Sequence, residues 1–346
     1  MKKLTLSLLM GTLLLSSCVR FDTLDDILHG GDSNNGKTDY FAVANRGDGT
    51  VTIYDADTQE QSTTITLEDE NAAPTYVVYS TKRDRLYVAD FNNAKINVYK
   101  GSDFSKVGEY PVGNGAFHMW LNNFSNQLWV NNIVDKTTSV ISLRNGRTLA
   151  TLSLPDNINF ADDAAQHDVT ISPNGAFAYV SVFSKTGANY LLQYNARNFK
   201  LKNHIEVGGD PHLVSSHRFL YVLSQVDSSI KEYKYANLRS TNRDGSLADV
   251  HGVTLGKDNN LFLTNIADKR VASYDIRTQS ISSVADAPVA DGVAHNVSYN
   301  FDKEILALTR SGGSTVDFFK VVEGDIEYLS SDASGGNPFG IVYIDR

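Results

Sequence analysis

From Tyr40 onward the chain alternates short apolar runs with polar turns, and the same order of runs returns about every 40–50 residues. Phe41-Ala42-Val43-Ala44-Asn45 leads to Val51-Thr52-Ile53-Tyr54-Asp55, and Leu86-Tyr87-Val88-Ala89-Asp90 leads to Ile96-Asn97-Val98-Tyr99. Further copies begin at Leu128-Trp129-Val130, Ala178-Tyr179-Val180, Leu220-Tyr221-Val222, Leu261-Phe262-Leu263 and Ile305-Leu306-Ala307. The runs are β-branched and aromatic. They are punctuated by Asn/Asp/Gly turns such as Asn45-Arg46-Gly47-Asp48-Gly49 and Ser172-Pro173-Asn174-Gly175, which is the pattern of strands and tight turns. Sustained helical periodicity is absent.

Each copy reads as four strands, and the recognisable run is the second. Seven such runs predict seven four-stranded units. The first copy starts at its second strand, and its missing innermost strand stands at the other end, in 338–344 (Pro338-Phe339-Gly340-Ile341-Val342-Tyr343-Ile344). A ring closed by the C-terminal strand predicts an all-β, seven-bladed β-propeller over 39–346, because radial repetition leaves few open edges. The unit resembles the YVTN family of propeller repeats, through Leu86-Tyr87-Val88-Ala89-Asp90-Phe91-Asn92-Asn93 and Pro211-His212-Leu213-Val214. That resemblance implies a fold and no particular activity. The fourth strand of blade five has no clear place in 235–248, where Asn237-Leu238-Arg239-Ser240 breaks alternation. Tyr87, Tyr179, Tyr221 and Phe262 fall at positions expected to pack between blades.

Candidate chemistry follows from the register. Five of the eight histidines, His118, His167, His212, His251 and His295, fall where blades three to seven enter their innermost strands. Phe339 and Thr75 take that place in blades one and two, so a ligand is expected off the axis, toward the histidines. Antiparallel pairing brings the ends of the second strands to the same face: Asn45, Asp90, Asn132, Val182, Ser224, Asn265 and Thr309. Two stretches, 155–165 and 237–249, read as insertions on this face. The first would bring Asp162, Asp163 and Asp168 near His167. Trp120, Tyr76, Phe91, Phe183 and Phe339 are expected around the same mouth. Loops on a rigid scaffold are where such folds carry function.

Imidazoles in this register can serve first as hydrogen-bonding structure, then as a polar floor for a small ligand or partner, or as copper or zinc ligands. The propeller of nitrous oxide reductase is similar in holding copper with a ring of histidines. This chain has five such positions and lacks the cysteine-containing electron-transfer domain, so the resemblance does not extend to that reaction. Seven-bladed lactonases and cobalamin-capturing surface lipoproteins are similar in architecture. A lactonase-like hydrolysis would use His167 with Asp168, or His251 with Asp249, although strand neighbours point to opposite faces. His-Glu-x-x-His, Gly-x-Ser-x-Gly and phosphate-loop motifs are missing. Asp55-Ala56-Asp57-Thr58-Gln59 lacks the glycine and glutamate of a calcium loop and reads as a hairpin turn.

Charge and the N-terminus refine the setting. Lys2 and Lys3 precede an apolar run, Leu4 to Leu15, too short to span a bilayer, and Leu15-Ser16-Ser17-Cys18 resembles a bacterial lipobox. Residues 1–17 are thus expected to be a lipoprotein signal peptide. Cys18, the sole cysteine, would be the lipidated residue, and 18–38 a Gly/Ser/Asn-rich tether. Val19 after the cysteine favours the outer membrane. The net charge of −9, with no Lys/Arg cluster, argues against nucleic acid as the main partner. The expectation is therefore a monomeric, membrane-anchored binding propeller with an envelope transporter, an enzyme or a small molecule as partner. A copper or zinc centre is the alternative and lactone hydrolysis a third reading.

Overall fold

The computed structural model describes residues 38–257, 260–288 and 291–346. The signal segment, Cys18 and nearly all of the tether lie outside the described residues. Twenty-eight strands form seven antiparallel sheets of four, with a single 3-10 turn at Thr81–Arg83. Blade one joins Tyr40–Asn45, Thr50–Asp55 and Gln61–Thr66 to the C-terminal strand Pro338–Ile344, which pairs antiparallel with Tyr40–Asn45. The ring closes as the sequence pattern anticipates. Blades two to seven have innermost strands Pro74–Ser80, Ala116–Asn122, Ala165–Ile171, Pro211–Ser215, Val250–Leu255 and Val293–Asn300.

The core is distributed over the joints between blades. Seven buried clusters each combine residues of two adjacent blades. Phe41 and Tyr54 of blade one meet Ala307 and Phe318 of blade seven. Trp129 and Val140 of blade three meet Val169, Val180 and Leu192 of blade four. Tyr87, Tyr179, Tyr221 and Phe262 are all buried in such joints. Second and third strands are buried on both faces, which is why their runs are continuously apolar.

The outermost strands alternate buried and exposed or are almost wholly exposed, and need little apolar content. This explains the ambiguity in blade five. Its fourth strand is Ser240–Ser246, with sequence STNRDGS, pairing with Ser229–Tyr233. The stretch 237–249 is therefore largely an outer strand and not an insertion. By contrast, the connection after Ser153 is a true loop that ends where the Ala165–Ile171 strand begins.

Six of the seven innermost strands carry a β-bulge at the same height. Thr75/Tyr76, Phe117/His118, His167/Asp168, His251/Gly252, His295/Asn296 and Phe339/Gly340 each set two residues opposite one. Blade five runs regularly through Pro211, His212 and Leu213. In blades four, six and seven the residue opposite the bulge is Ser181, Thr264 or Thr309. Its hydroxyl accepts the bulge N–H of Asp168, Gly252 or Asn296 at 2.9, 2.7 and 3.0 Å. The same hydroxyl donates to the next blade's Pro211, His295 or Phe339 carbonyl at 2.9, 3.0 and 2.9 Å. Gly252 has no room for a side chain, since a Cβ there would sit 2.2 Å from the His295 carbonyl oxygen.

Because the last strand supplies both an inner edge and a joint, a chain truncated after residue 337 is expected to lose cooperative unfolding. Thermal melts followed by circular dichroism would check this; an unchanged single transition would mean that the remaining blades close without it.

Candidate functional site

Each blade turns one aromatic ring toward the axis, six of them from a bulge and His212 from the regular strand of blade five. Around the ring, Tyr76, His118, His167, His212, His251, His295 and Phe339 follow one another with centroids 3.9, 4.9, 5.0, 4.0, 4.5 and 4.1 Å apart, and Phe339 returns to Tyr76 at 6.1 Å. The five histidines thus converge. The blade-two member is Tyr76, where the simple repeat register placed Thr75. The bulge adds a residue, and His118 matches Tyr76 while Phe117 matches Thr75. Thr75 instead donates its hydroxyl to the Ala116 carbonyl. In blade seven the second-strand residue at this height is Arg310, paired with Ala294, where the repeat register placed Thr309.

The histidines divide by their partners. His118 Nδ1 lies 3.0 Å from Asp168 Oδ1, across the joint between blades three and four. Asp168 also accepts the N–H groups of Val169 and Leu213, at 2.6 and 2.8 Å. With two backbone donors on it, the carboxylate faces His118 as an acceptor, so His118 donates from Nδ1 and turns a lone pair outward on Nε2. Asp168 is therefore the partner of His118, not of His167.

His251 and His295 belong to a hydrogen-bonded chain. Tyr76 donates to Asn296 Oδ1 at 3.2 Å. Asn296 Nδ2 is fixed as a donor by the Phe339 carbonyl at 3.1 Å and reaches His295 Nδ1 at 2.8 Å. His295 Nε2 then donates to His251 Nε2 at 3.1 Å, and His251 Nδ1 donates to Gln225 Oε1 at 2.7 Å. Every tautomer in this chain follows from the two ends.

His167 Nδ1 and His212 Nε2, by contrast, are buried with no hydrogen-bond partner among the described residues. Their nearest charge is Asp210 Oδ1, at 3.8 and 3.7 Å. One ring nitrogen from each of His118, His167 and His212 falls within a 4.8 Å spread, and Asp210, His212 and His251 form a second such group. Tetrahedral zinc with bonds of ~2.0–2.1 Å wants ligand atoms about 3.3–3.5 Å apart, so modest ring rotations would gather the triad. Asp210 was not singled out from sequence. Its one signal is its place in Gly208-Gly209-Asp210-Pro211-His212, in a left-handed backbone conformation (φ 52°) just before a ring histidine.

Burial governs the charge of this belt. The histidines are 3–8% exposed. Desolvation, with the neighbouring His118, pushes His167 and His295 down to about 3. Desolvation and adjacent histidines also hold His212 and His251 well below the ordinary imidazole range. Burial raises Asp210 and Tyr76. His167, His212, His251 and His295 are thus neutral at physiological pH, the form that binds metal.

Other singled-out residues lie elsewhere. Asp163 binds Ser184, Thr186 and the Lys185 N–H within its own corner, and these bonds lower its pKa. Asp162 is exposed and its carbonyl accepts from Lys136. Asp90 is buried against the Ala73 N–H and Asn93. Trp120 is 44% exposed and stands two residues beyond His118, on the far side of the belt from the mouth. Asp249 lies in the turn before its strand, and His251 engages Gln225 instead. A groove of about 460 Å³ between blades two and three is lined by Thr137, Ser139, Thr148, Thr151 and Asp135, and not by histidines.

No protein-family model and no curated protein matches this chain. Solved structures match in fold. The periplasmic gluconolactonase of Pseudomonas aeruginosa is 14% identical, with TM-score 0.69 over 89% of this chain and 99% of that one. A protein from Lactobacillus plantarum gives 13%, 0.72, 89% and 100%. The Cps50 (Swd1) β-propeller domain of Myceliophteria thermophila gives 13%, 0.62, 78% and 90%. At these identities the likeness establishes the propeller.

The lowered histidines carry a pH prediction. The unfolded chain, with imidazoles near 6.5, binds protons that the folded one refuses until about pH 3. Stability is therefore fully present above about pH 6.5 and lost as pH falls, by up to ~1.4 kcal/mol per pH unit for each such histidine. Urea unfolding between pH 7 and 4.5 should show a midpoint falling with a slope above one proton. A flat profile would contradict the buried neutral belt.

Proposed function

We propose that this protein is a non-catalytic binding propeller that holds a zinc or copper ion at His118, His167 and His212, near the mouth of its axis. One observation carries the reading: imidazoles from three successive blades converge while two of their buried nitrogens have no hydrogen-bond partner among the described residues. Leaving a buried polar atom unpaired costs about 1–3 kcal/mol, and a metal ion would offset that cost. Three neutral nitrogens suit zinc or copper, and Asp210, beside two of them, could complete the set. Asp168 behind His118 supports the same reading, because a carboxylate on the far ring nitrogen fixes the tautomer and raises ligand basicity. The bound ion would supply a Lewis-acidic centre. The chain's residues orient it and exclude water from its inner side.

In this reading the protein is attached to the outer membrane through lipid on Cys18 and works as a monomer beside an envelope transporter or enzyme. The lipobox-like Leu15-Ser16-Ser17-Cys18 and the single cysteine support the attachment.

Elemental analysis of protein lacking residues 1–18, loaded with zinc or copper and desalted, is expected to give near one ion per chain. His167→Ala and His212→Ala should each remove nearly all of it, while His295→Ala retains it with an unchanged β-rich circular dichroism. Metal-free wild-type protein after loading would overturn the proposal.

Asp168→Asn separates positioning from folding. It is expected to weaken zinc binding by about 10–100-fold. Ser181→Ala loosens the same bulge without touching His118 and should change affinity far less. Equal losses in the two variants would assign Asp168 a purely structural role.

A further inference from the structure

Above the belt, the residue following the bulge-side pairing stands at one height in every blade. It is Arg46, Phe91, Ile133, Phe183, Gln225 and Ile266 in blades one to six, with Ser311 in blade seven. Except for Ser311, these side chains are half-buried. The collar rests on the belt: Phe183 lies 5.7 Å from His167, and Gln225 bonds His251. Four members are apolar, and Arg46 is the only charged one.

The guanidinium of Arg46 lies over Phe91 at 4.8 Å and Phe339 at 5.4 Å. Its backbone N–H is used by the Asn337 carbonyl. Its guanidinium has no acceptor or carboxylate partner among the described residues, and burial alone lowers its pKa. The neighbouring acids are engaged: Asp48 accepts from Thr50 and the Gly336 N–H, and Asp90 from Ala73 and Asn93. A half-buried arginine normally meets an anion, because desolvating a charge without a partner is costly. Here two rings hold its plane in place and leave its fork of N–H donors free, the geometry that receives a carboxylate bidentately.

Beside the fork lies an apolar surface. Phe117, from the blade-three bulge, reaches over the belt, 5.5 Å from Phe339, 6.5 Å from Phe91 and 4.7 Å from His118. We infer that the mouth binds a small organic carboxylate, its charged end on Arg46 and its apolar body on Phe91, Phe117 and Phe339. The inference does not rest on the metal. Blades one to three build this site, whereas the ion-binding triad comes from blades three to five.

The test is calorimetric titration of chelator-treated protein with benzoate, benzamide and inorganic phosphate. Benzoate is expected to bind one to one, benzamide at least tenfold more weakly, and phosphate no better than benzamide. Arg46→Gln should lower benzoate affinity tenfold or more, with an unchanged melting temperature. Arg46→Lys should also lose affinity, because an ammonium lacks the fork. No benzoate binding, equal binding of benzamide, preference for phosphate, or an Arg46→Gln variant that binds normally would each overturn the inference. If Arg46→Gln does not fold, Phe91→Leu gives the second reading: several-fold weaker benzoate binding is expected, and no change would count against the site. Metal loading of the same variants reports separately on the triad.

Discussion

The structure depends on one extra residue near the start of most innermost strands. In a regular antiparallel strand, side chains alternate between two faces, and in a propeller both faces are occupied by neighbouring blades. A bulge breaks that alternation locally and re-aims a side chain. Repeated in six blades, it delivers rings to the axis without unpacking any joint. It also frees a backbone N–H, which Ser181, Thr264 and Thr309 take up while bonding the next blade. One device thus serves as site and hinge of assembly: the residues that present imidazoles also lock successive blades together.

Five histidines in one belt are not equivalent. Hydrogen-bond direction separates them: His251 and His295 are committed to a chain running from Tyr76 to Gln225, and His118 is committed to Asp168. His167 and His212 are left with buried nitrogens that no hydrogen-bond partner among the described residues satisfies. Neutrality is common to those whose titration is perturbed, since burial among like groups disfavours the charged form. A belt of neutral, oriented imidazoles is a different object from a charged ring. Its lone pairs suit a cation and offer little to an anion, whereas the guanidinium of Arg46 stands outside it, on the collar.

The architecture was legible because second and third strands, buried on both faces, repeat as apolar runs, and because the missing first strand reappears at Pro338. The placing of the histidines on one arc was legible for the same reason, but not whether their rings meet. What escaped was local backbone irregularity. A bulge leaves no mark in a two-residue period, so Tyr76 was hidden behind Thr75. The pairing of His118 with Asp168 joins two blades about fifty residues apart in the chain, and only the closed ring makes them neighbours. The outer strand of blade five escaped because an edge strand facing solvent has little need of hydrophobic residues.

The closure of blade one also sets a direction. Asn45 pairs with Pro338 at the mouth, and Tyr40 pairs with Ile344 at the opposite end of the same two strands. The chain therefore enters the disc from the face away from the histidines, and Arg346 finishes there beside Asp39. Under the anchoring proposed above, upstream of Asp39, the imidazoles and Arg46 would face away from the point of attachment. The end of the first strand that the upstream chain joins thus fixes which face of the disc stands opposite it.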